Sequence, residues 1–172
     1  MAARDDVPRG TAADGDAVSP DTRPREPQYA SHVILMRVAQ ADEAFTGPEA
    51  DRPLDERGRA QARASARAMH GAGHHPGPLL AATSERARDT ALILAAELQV
   101  PDEDVQFADG LFDAGPELLE ARIRVLAKPY TLVTLIADNP GLTDLARFLA
   151  SDPDAPVMQP AEWRYLRWPP PD

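Results

Sequence analysis

Apolar residues along this chain fall into two patterns separated by polar turns. Val33-Ile34-Leu35-Met36 and Leu132-Val133-Thr134-Leu135-Ile136 are short runs with almost no polar alternation. That pattern predicts parallel strands buried on both faces, over 32–37 and 130–137. The first run ends in Arg37, the second in Ala137-Asp138-Asn139-Pro140-Gly141. Elsewhere the apolar spacing is helical. A helix is expected over 55–70, with Asp55 as N-cap and Gly71 or Gly73 as the stop. A short strand near 78–83 leads into a helix from Ser84, where Ala87, Ala91, Leu94, Ala95 and Leu98 share one face. Further helices are expected near 116–127, with Pro116 in the first turn, and near 141–150. The stretch around Phe107, Leu111 and Phe112 reads as a connection, and Glu162 to Trp168 alternates as a final edge strand would.

Strands alternating with helices imply an α/β fold, a mostly parallel central sheet covered by helices on both faces. In such sheets the ligand crevice lies beyond the carboxyl ends of the strands. Arg37, the segment Ser84 to Arg88, and Asp138 all fall at such ends. Residues 1 to about 30 are rich in Ala, Asp, Arg, Pro and Gly without apolar periodicity, the composition of a disordered tail. Residues 31–168 are expected to form a single domain, and Pro169-Pro170-Pro171 marks its end.

Composition narrows the partners. A formal net charge of −10 argues against nucleic acid or an anionic membrane surface. The chain has no cysteine, which removes disulfides, thiolate metal sites and cysteine nucleophiles together and fits the cytoplasm. No apolar run approaches the roughly 20 residues of a membrane-spanning helix, and no basic-then-apolar start marks a secretory signal.

Four segments carry a more specific signal: Ile34-Leu35-Met36-Arg37; Arg52-Pro53-Leu54-Asp55-Glu56-Arg57-Gly58-Arg59-Ala60-Gln61-Ala62; Arg86-Ala87-Arg88-Asp89-Thr90-Ala91; and Asn139-Pro140-Gly141-Leu142. In this order, and on these elements, they resemble the histidine phosphatase superfamily in its small phosphohistidine phosphatase (SixA-type) branch. The resemblance covers roughly 33–150 and implies a three-layer, phosphoglycerate mutase-like sandwich.

In that family the first strand ends in Arg-His and the last in Gly-His-Asn-Pro-Gly. The first histidine attacks phosphorus, while two arginines and the second histidine hold the equatorial oxygens. Carried over by position, Arg37 and Arg86 match the two arginines, but Val38 stands at the nucleophile and Asp138 at the second histidine. Ser84 is offset from the family's usual serine, whose position falls on Ala82, and Arg88 is outside the arginine pair. Valine has no lone pair, and losing a nucleophile that works as part of a unit costs on the order of a millionfold in rate. Exchanging a cationic histidine for a carboxylate about 4 Å from a phosphate shifts its binding unfavourably by roughly 2 to 8 kcal/mol. Asp138 is expected to pair with Arg37 or Arg86 instead, giving a self-neutralised pocket.

The resemblance therefore implies pocket positions Arg37, Val38, Arg86 and Asp138, with Asn139 and Asp113 at the rim as ligand-binding candidates, and no confident catalytic residue. Asp113 also reads simply as a turn residue ahead of Pro116. His32 opens the first strand, at the wrong end of the sheet, and His70, His74 and His75 belong to a Gly-rich turn read as a solvated loop rather than a metal site. Trp163, Tyr165 and Trp168 read as strand packing followed by an exposed edge, with core or dimer packing favoured over a separate partner surface. No metal and no cofactor is expected. The leading reading is a degenerate, non-catalytic binding or regulatory protein whose partner is an unknown protein or small molecule. The alternatives are a repurposed enzyme using Arg37, Arg86 and Asp138 on a non-phosphoryl substrate, and a weak phosphatase.

Overall fold

The computed structural model describes residues 30–169; the expected tail, apart from Ala30, and the last three residues lie outside them. One five-stranded sheet organises the chain. Strand β1 (His32–Arg37) is followed by α1 (Glu56–Gly71), β2 (Leu79–Ala82), α2 (Glu85–Leu98), β3 (Val105–Ala108), α3 (Pro116–Leu126), β4 (Leu132–Ala137), α4 (Gly141–Ala150) and β5 (Trp163–Arg167). Their order across the sheet is β3-β2-β4-β1-β5, parallel except for β5.

This order follows from the residues. The side chains of Val33 to Met36 and Val133 to Ile136 are fully buried, because helices cover both faces of the central strands. From β1 the chain steps outward to β2 and β3, then turns back to insert β4 between β2 and β1. Right-handed crossovers in opposite directions put α1 and α2 on one face and α3 and α4 on the other, which are the helix pairs that pack together. The reversal leaves the ends of β1 and β4 adjacent, with Arg37 opposite Ala137.

The helices start and stop where their chemistry dictates. The Asp55 carboxylate accepts the Gly58 N–H at 2.6 Å as N-cap of α1, and the chain leaves that helix through Gly73 in the left-handed region. Gly58, Ala62, Ala66 and Met69 form the buried stripe of α1, facing α2. Pro116 opens α3 at its first position. The sequence pattern misses β3. Its four residues are only partly buried, it sits at the sheet edge, and the acidic turn Asp102–Asp104 precedes it, so no periodicity sets it apart from a loop.

Candidate functional site

Immediately past Arg37 the backbone is pinned by three residues from the helical motifs. The Ala39 N–H donates to Thr90 Oγ1 at 3.2 Å, and that hydroxyl donates in turn to the Arg86 carbonyl at 2.8 Å. The Gln40 N–H donates to Gln61 Oε1 at 3.1 Å, and the Gln40 carbonyl accepts from the Asp55 N–H at 3.2 Å. Gly58 is required here: a Cβ on it would lie 2.0 Å from the Gln40 carbonyl oxygen. Gly58, Gln61 and Thr90, which carry much of the sequence resemblance, therefore position the loop that follows β1.

Val38 starts that loop. It is buried, its N–H donates to the Ala137 carbonyl at 3.1 Å, and its side chain belongs to the hydrophobic core. Asp138 follows the paired residue Ala137, so Val38 and Asp138 stand next to each other past the ends of β1 and β4. Position 38 carries an alkyl group, which offers nothing that can attack phosphorus.

The two arginines are held in different ways. Arg37 turns to the segment that precedes β5, where its Nη1 donates to the Met158 carbonyl at 2.7 Å. Asn139 Nδ2 donates to the same oxygen at 2.9 Å, while Asn139 Oδ1 accepts from Thr143 Oγ1 at 2.7 Å. Asn139 is thus engaged with the main chain of this segment and with α4. Arg86, buried at the start of α2, does pair with Asp138: its Nε lies 2.9 Å from Oδ1. Arg86 Nη1 also donates to the Glu49 carbonyl at 2.9 Å and lies 3.2 Å from Glu49 Oε1, and the guanidinium faces the Phe112 ring at 5.4 Å. Glu49 continues the chain of charges to Arg52, Nη2 to Oε2, at 2.7 Å. Two guanidinium groups and two carboxylates alternate as Arg52, Glu49, Arg86 and Asp138, which cancels their charge locally.

The cancellation is electrostatic only. Three buried side-chain atoms among the described residues have no hydrogen-bond partner: Arg52 Nε, Ser84 Oγ and Asp138 Oδ2. All belong to this network or, in the case of Ser84, to the first turn preceding Arg86. Buried polar groups are normally satisfied, so two orphans within one ion-pair network and a third two residues before Arg86 are a local departure from the rule.

The remaining candidates lie elsewhere. Asp113 is exposed and in the left-handed region (φ 54°) in the turn ahead of α3. Arg88 lies over the Phe107 ring at 4.4 Å, toward β3. His32 and His74 both stack on the Tyr165 ring, at 4.5 and 4.2 Å, while His70 and His75 are exposed. Trp168 is buried and Trp163 packs against the core. Among the described residues no group of three or more His, Asp or Glu side chains could hold a metal ion. Glu49 and Arg52 are the site residues that sequence reasoning missed. Their only signal was Arg52 at the head of the Arg-Pro-Leu motif, with an acidic residue three positions before it.

Comparison with known proteins agrees with this geometry at the level of fold. The histidine phosphatase superfamily (branch 1) model matches residues 33–114. No curated protein matches the sequence. Among solved structures, a phosphohistidine phosphatase SixA from Agrobacterium tumefaciens is 22% identical, with a TM-score of 0.70 over 81% of this chain and 92% of that one. The protein histidine phosphatase SixA complexed with tungstate is 20% identical, with a TM-score of 0.69 over 78% and 86%. A SixA from Nakamurella multipartitia is also 20% identical, with a TM-score of 0.63 over 83% and 87%. The chain therefore has a SixA-like fold, and the family its sequence matches is the histidine phosphatase superfamily.

Proposed function

We propose that this chain is a non-catalytic member of the SixA-like group, a binding or regulatory protein that does not perform phosphoryl transfer. The observation that carries the reading is the buried Arg86–Asp138 ion pair at 2.9 Å, beside an alkyl side chain at position 38. A phosphate needs cationic donors around its oxygens and an in-line nucleophile. Here one arginine is matched by carboxylates, the other by the Met158 carbonyl, and the nucleophile position has no lone pair.

A second reading, a site reused for a non-phosphoryl organic ligand or substrate, is favoured by one observation: Asp138 Oδ2 is buried and unpartnered. A carboxylate oxygen there accepts hydrogen bonds and repels anions, so it suits a ligand that donates.

Hydrolysis of p-nitrophenyl phosphate and of a phosphohistidine peptide tests the proposal. The expected result is no release of phosphate above the protein-free rate. Turnover by the wild type that disappears in Arg86→Ala would belong to this site and would overturn it.

A further inference from the structure

Glu49 reaches Arg52 from one side only. Its Oε2 meets Nη2 at 2.7 Å while Arg52 Nε stays buried and unpartnered. A guanidinium edge presents Nε and Nη2 in parallel, the geometry that a carboxylate matches with both oxygens. Glu49 cannot provide that match, because its other oxygen is engaged with Arg86 Nη1 at 3.2 Å and its own carbonyl accepts from the same nitrogen. The single turn Glu49–Asp51 that carries it has no buried residue. It lies within a loop secured by the bridge between Ala41 and Leu54. A tethered carboxylate thus sits on two arginines in a fit that an untethered one would improve.

A second orphan, Asp138 Oδ2, belongs to the carboxylate paired with the same Arg86, and it is an acceptor only. A fully ionised phosphoryl group offers acceptors to the arginines and leaves Asp138 opposed. A hydroxyl offers a proton to Asp138.

We infer that Arg52, Arg86 and Asp138 form a binding site for a small hydroxy-carboxylate, closed in cis by the carboxylate of Glu49. The ligand carboxylate replaces Glu49 between the two guanidinium groups, so the charge of the cluster is unchanged, and the ligand hydroxyl donates to Asp138 Oδ2. This assignment rests on the non-phosphoryl reading of the site and names its ligand class.

Lactate, propionate, 2-methoxypropionate and inorganic phosphate, titrated by NMR into the full chain and its Glu49→Ala variant, test the assignment. Glu49 is half exposed on a turn without buried residues, so the variant is expected to fold, and its melting curve checks this. Removing an intramolecular competitor should tighten lactate by about tenfold or more. Lactate should bind Glu49→Ala about tenfold tighter than propionate, which lacks the hydroxyl, and than 2-methoxypropionate, which lacks only the donated proton. Arg52→Met in the same background should abolish binding. If Glu49→Ala does not tighten lactate, or binds the three carboxylates alike, the assignment is wrong while the non-catalytic reading stands. Phosphate bound more tightly than lactate, or phosphate released from a phosphohistidine peptide by Glu49→Ala, would overturn the non-phosphoryl reading itself.

Discussion

The loop after β1 and the charged cluster beside it are a few residues apart and are held by opposite means. In the loop, the backbone groups of Ala39 and Gln40 meet uncharged partners, Thr90, Gln61 and the Asp55 N–H, with Gly58 making room for the Gln40 carbonyl. In the cluster, Arg52, Glu49, Arg86 and Asp138 hold one another through charge, and three polar atoms are left over. Fully paired backbone fixes one conformation. A charge-balanced group with unmatched donors and acceptors keeps the capacity to exchange one partner for another. The motif residues Gly58, Gln61 and Thr90 thus act in the first region, while the unmatched polar atoms belong to the second.

Five variants probe that contrast by chemical denaturation. Asp138→Ala should be the most damaging, because it strands the buried Arg86 guanidinium with only its Glu49 contacts, and a loss of about 4 kcal/mol is expected. The double variant Arg86→Met with Asp138→Leu should regain most of that loss, since a buried ion pair exchanged for apolar groups is often nearly neutral. Gly58→Ala should cost about 3 kcal/mol, as the new methyl cannot coexist with the Gln40 carbonyl unless the backbone moves. Thr90→Val removes the acceptor of the Ala39 N–H at a fully buried site and should cost about 1.5 kcal/mol. Glu49→Ala should cost about 1 kcal/mol or less, because the carboxylate it removes is half exposed and screened by solvent. If Glu49→Ala proved as damaging as Asp138→Ala, the cluster would be as fixed as the loop and the contrast would fail.

Most of this arrangement could be read from the sequence because it depends on local patterns. Unbroken apolar runs gave β1 and β4, Asp55 and Pro116 marked helix starts, and the chain order of the motifs placed Arg86 and Asp138 at neighbouring strand ends. Charge complementarity calls for Asp138 to pair with Arg37 or Arg86 without choosing between them, and the partner is Arg86. Three things were beyond reach. Strand β3 is too short and too exposed to show a period. Arg37 binds the Met158 carbonyl, a contact across 121 positions with a backbone group that carries no sequence identity. Glu49 and Arg52 lie in an irregular loop, where no periodicity says which side chains face inward.

The Met158 carbonyl has a consequence of its own. It accepts from both Arg37 and Asn139, which project from the ends of β1 and β4, and its own residue is fully buried. Arg37, which no carboxylate among the described residues offsets, is therefore moored to the main chain. The orientation of a partly exposed guanidinium is thus set by where the backbone of Met158 sits, so packing at a residue that carries no charge helps decide how positive charge is presented past the ends of β1 and β4.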